Sequence, residues 1–223
     1  MVDQEKTPLI HIDQLTWWYS DKQDPVFANF SFELDEGDFA VLVWKSGTGK
    51  STLVKMIMGS FDLPTKAVYH RNEDMAKMTR DERQLYRRKV GLVLQDDHLL
   101  HWKTARENIV YPLHIAELGE ELMQVQMQKV IDLLQLHDYI DQKVGLVSGG
   151  HREKIALARA LVLQPEFLVL DEPTGNLDWE DTKNIADILM KLNSQWTTVL
   201  LVTHDVHLIE YIKLKQAVEL HRL

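Results

Sequence analysis

The 223-residue chain contains no cysteine, so disulfides, thiolate metal sites and cysteine nucleophiles are excluded together, as suits a reducing compartment. Basic residues are in the minority, with 25 Lys and Arg against 34 Asp and Glu and a formal net charge of -9. That balance argues against a surface built to neutralise a phosphate backbone, and no nucleic-acid partner is expected. Long apolar runs are missing as well. Phe39 to Trp44 and Thr198 to Val202 fall far short of the ~20 residues that span a bilayer, and the opening MVDQEKTPLI is too polar for a signal peptide. A soluble, cytoplasmic chain is expected. Repeats and low-complexity tracts are also lacking, and the length suits one domain or one domain with an inserted lobe.

What is present is an alternation of strand-like and helix-like periods. Ile10 to Tyr19 and Val26 to Leu34 read as an opening hairpin, punctuated by Asp24-Pro25 and Asp35-Glu36-Gly37. Phe39 to Val43 is continuously apolar, as a strand covered on both faces should be, and it runs into a glycine loop and a helical stretch ending at Gly59. Val90 to Leu94 is a further strand. Thr104 to Leu136 then carries apolar residues at helical spacing, such as Leu118, Leu122 and Val125, and reads as part of an inserted helical lobe. Phe167 to Leu170 and Val199 to Val202 are short buried strands separated by a helix with Ile185, Ile188, Leu189 and Leu192 on one face. The fold class expected is α/β with a mostly parallel core sheet. Arg80, Arg83, Arg87, Arg88 and Lys89, interleaved with Asp81 and Glu82, read as a solvated helix face.

Ser46-Gly47-Thr48-Gly49-Lys50-Ser51-Thr52 fits the core of the phosphate-binding loop pattern, in which small residues let backbone N–H groups close around phosphate oxygens. Lys50 would reach the β and γ phosphates and Ser51 would put its hydroxyl on Mg²⁺. A bare Gly-Lys-Ser triplet could be a chance turn, but here it follows an apolar strand and precedes a helix. One position departs: the pattern asks for glycine where this chain has Trp44, which suggests a shifted loop with weaker nucleotide binding. Downstream, Phe167 to Leu170 ends in Asp171-Glu172. Two acids after a strand are an ordinary loop start when alone. Beside a phosphate loop, Asp171 would hold Mg²⁺ and Glu172 would polarise an attacking water.

Val147-Ser148-Gly149-Gly150-His151 and the helical text to Leu161 resemble the signature motif of ATP-binding cassette (ABC) ATPases, and the resemblance covers almost the whole chain. It implies a P-loop NTPase domain with an N-terminal antiparallel β subdomain and an inserted helical subdomain over about residues 96–160. It implies that Tyr19 stacks on adenine, that Gln95 senses Mg²⁺ and the γ-phosphate, that Asn176-Leu177-Asp178 crosses to a second subunit, and that His204 contacts the γ-phosphate. Ser148, Gly149 and Gly150 would form a second anion surface at a helix N-terminus, completing the ATP site of the opposite copy in a head-to-tail homodimer.

Within that superfamily, Tyr86 to Asp96 and Leu99-Leu100 to Asn108 look most like the FtsE cell-division ATPases, with lipoprotein-release and macrolide-export ATPases as relatives sharing much of the text. The resemblance implies a peripheral subunit on the inner face of the membrane, working with an FtsX-like or exporter permease. A nucleotide-gated scaffold with little turnover is the reading that Trp44 keeps open. Trp17 and Trp18 are assigned to packing. His151 and Lys154 stand where the family usually carries Gln or Glu and Arg; exposed variation is the preferred reading, an altered contact with nucleotide the other.

Overall fold

Alternating inward and outward side chains make the opening hairpin. In the computed structural model, which describes residues 7–18, 24–43, 49–60, 63–96 and 98–222, β1 (Ile10–Trp17) pairs antiparallel with β2 (Phe27–Leu34) from Ile10 opposite Leu34 to Trp17 opposite Phe27. Ile10, Ile12 and Leu15 are buried, whereas Asp13, Gln14 and Thr16 face out; the period of two holds from Ile10 to Ile12 and is broken by a shift of register between Ile12 and Leu15. Trp17 packs against the core, but Trp18, one residue beyond the strand, is 41% exposed. β4 (Val68–His70) adds to β1 and β5 (Glu73–Asp74) to β4, giving the order β2-β1-β4-β5.

The second sheet is parallel throughout, in the order β6-β7-β8-β3-β9. Its strands are β3 (Phe39–Val43), β6 (Val90–Val93), β7 (Phe167–Asp171), β8 (Thr198–Thr203) and β9 (Glu219–Arg222). Each inner strand buries both faces. Val41, Leu168, Leu170, Val199 and Leu201 enter one core, and Ala40, Leu42, Val169, Leu200 and Val202 enter the other. Continuous apolar runs, rather than alternation, are the sequence mark of that arrangement.

Helix α1 (Lys50–Ile57) packs on the second core, together with the inner face of the antiparallel sheet. The first core is covered by α3 (Ala105–Ile115), α4 (Glu120–Leu134), α5 (Gly149–Leu161), α6 (Trp179–Ser194) and α7 (Val206–Lys215). Of these, α3 to α5 lie between β6 and β7 in the chain, where the helical lobe is expected. The face foreseen for α4 is corrected: Leu122 and Val125 are each 47% exposed, and Met127, Val130, Ile131 and Leu134 are the buried set. α2 (Arg80–Arg88) and α3 both open with capping boxes, Thr79 with Glu82 and Thr104 with Glu107. The basic cluster is solvated as expected, with Arg80, Arg87 and Lys89 exposed. Arg87 also donates to the Met58 and Gly59 carbonyls at 3.1 and 2.8 Å, satisfying the end of α1. Lys89 pairs with Glu166 at 3.0 Å.

Candidate functional site

Parallel strands deliver all their carboxyl ends to one edge, and here the ends are level. Val93 lies opposite Leu170, Asp171 opposite Val202, and Val43 opposite Thr203. The segments leaving that edge carry Gln95, Glu172 and His204, and α1, which follows β3, begins at Lys50. Residues far apart in sequence therefore meet. Glu172 is 4% exposed; its Oε1 lies 2.5 Å from Lys50 Nζ and 2.5 Å from His204 Nδ1, and Thr203 Oγ1 donates to Oε2 at 2.9 Å.

The backbone is bent to aim this carboxylate. Glu172 has φ of +49°, a left-handed conformation that costs a non-glycine residue roughly 1–2 kcal/mol. It is held there by its N–H donating to the Val202 carbonyl at 2.8 Å and by its own carbonyl accepting from the Gly175 N–H at 3.2 Å. Gly49, capping α1 at φ +113°, meets two constraints at once, because a Cβ there would lie 2.5 Å from Val26 Cγ1 as well as in a disfavoured conformation.

The two adjacent acids are driven in opposite directions. Burial raises the Asp171 carboxyl above the ordinary range, Glu172 beside it adds to the rise, and Lys50 and a hydrogen bond with Ser51 offset only part. Burial would raise Glu172 too, but the bonds from Lys50, His204 and Thr203 outweigh it and its pKa falls. Asp171 Oδ1 is buried with no hydrogen-bond partner among the described residues. An orphaned carboxylate oxygen beside a serine hydroxyl fits a hard divalent cation, which takes one or two protein oxygens and fills the rest with water and phosphate. Among the described residues no group of three or more His, Asp or Glu could hold a metal by itself.

Ser148 is the N-cap of α5, accepting the His151 N–H at 3.3 Å, and Gly149 and Gly150 form its first turn. A Cβ on Gly149 would come within 3.5 Å of Leu177 Cδ2 and 3.7 Å of the Asn176 carbonyl oxygen, so the segment expected to cross between subunits lies against the signature glycines. A Cβ on Gly150 would fall on the Asp181 carboxylate, which explains glycine there without any ligand. Asp178 caps α6 by accepting the Asp181 N–H at 2.9 Å.

Two adjoining cavities of about 260 and 570 Å³ share Gln95, Glu172, Gly175 and Leu177. The smaller reaches Gly149 and Arg152 and the larger reaches His204 and Thr182. A cavity of about 840 Å³ lies elsewhere, lined by residues of β4, β5 and α2 such as Tyr69, Asp74 and Tyr86, and no candidate residue borders it. Thr52 is buried on α1. Tyr19, Trp44, Ser46, Gly47 and Thr48 lie outside the described residues. Thr203 is the residue that sequence reasoning missed; its only signal was its place at a strand end next to His204.

The profile of the ABC transporter family matches residues 27–175. The cell division ATP-binding protein FtsE of Mycobacterium tuberculosis is 31% identical over 217 residues, covering 95% of this chain and 92% of that protein. The macrolide export ATP-binding/permease protein MacB of Bdellovibrio bacteriovorus is 37% identical over 187 residues, which make up 83% of this chain and 28% of that protein. Among solved structures, an ATP-binding cassette in a dimeric post-hydrolysis state bound to ADP and Pi superposes with a TM-score of 0.79 at 29% identity, covering 91% of this chain and 90% of that one. With the profile matched over residues 27–175 and a relative 31% identical across almost the whole of both chains, the chain belongs to the ABC transporter family.

Proposed function

We propose that the chain is the ATP-hydrolysing subunit of a membrane complex, FtsE-like in type and acting with an FtsX-like integral membrane protein. The observation that carries the enzymatic part is the Glu172 carboxylate, buried, ionised and gripped by Lys50, His204 and Thr203 at the ends of adjacent strands. ATP would draw Lys50 onto its phosphate oxygens, leaving Glu172 with His204 and Thr203. Glu172 then takes a proton from water as the water oxygen bonds to the γ-phosphorus and the bond to the leaving ADP oxygen breaks. Mg²⁺, held by Ser51 and Asp171 with Gln95 nearby, would neutralise charge on the phosphates. Tyr19 is assigned to adenine, and the loop residues Ser46, Gly47, Thr48 and Gly49 with Thr52 to the phosphates.

The signature residues Ser148, Gly149 and Gly150, with Asp178, would complete the site of a second copy, so that ATP is part of a homodimer interface. The dimeric relative supports this reading. Residues 96–160 are taken as the helical subdomain that couples to the membrane partner, with the chain peripheral on the inner membrane face; among the described residues no helix is long and apolar enough to cross. The similarity to a macrolide exporter favours a second reading, an exporter ATPase subunit, and co-purification of the transmembrane partner from native membranes distinguishes the two. For the enzymatic part, Glu172→Gln should keep ATP binding and lose at least ~100-fold in turnover. Near-normal hydrolysis by that variant would remove Glu172 from the role.

A further inference from the structure

The serine that caps α5 shares its hydroxyl with a histidine. Ser148 Oγ accepts the His151 backbone N–H at 3.3 Å and sits 2.6 Å from His151 Nδ1. Tyr139 holds the imidazole, with ring centroids 3.7 Å apart and the planes 35° from parallel. A serine hydroxyl has one proton to give. With the ring neutral and its proton on Nε2, Nδ1 is an acceptor and the Ser148 O–H is committed to it. With both ring nitrogens protonated, Nδ1 becomes the donor, and the Ser148 proton is released to point elsewhere.

We propose that His151 is a positioning residue for the Ser148 hydroxyl: its neutral ring, in the Nε2–H tautomer, holds the serine proton, and protonation of the imidazole frees that proton for the triphosphate bound by the opposite copy. This rests on the trans role given to Ser148 above and adds to it a dependence on pH. Of the two residues the family usually carries here, Gln and Glu, a glutamine has an amide NH₂ that can donate to Ser148 Oγ at every pH, so a donor that depends on pH comes from this chain's own histidine. Three further groups face the ring: Tyr139 from the segment before α5, Lys154 on α5 and Asp181 on α6. Burial lowers the His151 pKa, Lys154 lowers it further, and Asp181 opposes them. The neutral ring is therefore the resting form at neutral pH, and in its Nε2–H tautomer it holds the Ser148 proton.

The sign follows from linkage. A triphosphate brought to Ser148 by closure favours the protonated ring, so the His151 pKa is higher in the closed dimer than in the separate copies. Closure is strengthened below that raised value and loses the gain as pH rises through it. In the full-length Glu172→Gln protein with Mg²⁺ and ATP, the dimer dissociation constant, read by light scattering, should rise about tenfold from about pH 5.5 to about pH 8.

In the Glu172→Gln, His151→Gln double variant it should change less than about twofold and stay near the low-pH value. Ser148→Ala in the Glu172→Gln background, which leaves His151 in place, should abolish the slope as well. Equal slopes with His and Gln at residue 151, or a slope that survives Ser148→Ala, would overturn the proposal alone. A failure of every variant to dimerise with ATP at any pH would overturn the trans reading and the proposal with it.

Discussion

At the scale of single residues, the neighbouring acids Asp171 and Glu172 carry opposite costs. Asp171 is a buried carboxylate whose pKa is raised by burial, so in the folded state it keeps a proton to higher pH than it does in the unfolded chain. Its contribution to stability is favourable only at low pH and becomes a cost as pH rises through the raised folded value. Asp171→Asn should therefore raise the melting temperature of the metal-free protein by ~2–4 °C, the equivalent of about 1 kcal/mol for a chain of this size. The same change should abolish the extra stabilisation that Mg²⁺ and ATP confer. Differential scanning fluorimetry with and without Mg-ATP reads both effects, and a variant that keeps the ligand-induced shift would remove Asp171 from the metal site.

Glu172 has the opposite sign: in the ATP-free protein its depressed pKa keeps it ionised as pH falls, and kcat/KM, which reports the free enzyme, should be lost only when pH drops through that lowered value. Thr203 is one of the donors that depress it. Thr203→Val, near in shape, should move the acid limb of the pH–rate profile to higher pH and cost about 1–3 kcal/mol in stability, because a buried carboxylate oxygen loses the closer of its two donors, the other being the His204 N–H at 3.5 Å. An acid limb that does not move would mean that Thr203 has no hold on the base.

At the scale of elements, the contact between α5 and α6 is set by one glycine. A Cβ on Gly150 would fall on the Asp181 carboxylate, the movable end of a half-buried side chain, so Gly150→Ala should destabilise the protein by no more than about 1 kcal/mol. Asp181→Ala should recover part of the loss in the double variant, a coupling that chemical denaturation can measure. Independent, additive losses would mean that the two do not collide.

This contact was not readable from the sequence, since nothing in Gly149-Gly150 says which of them faces another helix. The parallel sheet was readable, because strands buried on both faces are written as unbroken apolar runs, and β3, β6, β7 and β8 all appear where those runs lie. β4 and β5, of three and two residues, are too short for a period to show. β9 reads Glu-Leu-His-Arg and is held by pairing with β3 rather than by its own apolarity. Candidate residues at strand ends were legible for the same reason as the strands. Thr203 was hidden because its role depends on which strand lies beside β7.

At the scale of the whole molecule, the parallel sheet gathers Lys50, Asp171, Glu172 and His204 on one edge, while the signature segment stands at the start of α5, capped and packed against Asn176 and Leu177. The central claim is that these surfaces belong to different ATP sites, one in each copy of a head-to-tail dimer. Mixed dimers joining one Lys50→Ala copy to one Ser148→Arg copy test it most directly, with bound ATP counted per dimer after cross-linking. If the sites are shared between copies, one site collects both lesions and the other collects neither, so each mixed dimer should retain one ATP at wild-type affinity. Two sites damaged alike, with no intact ATP site in the mixed dimer, would contradict the account.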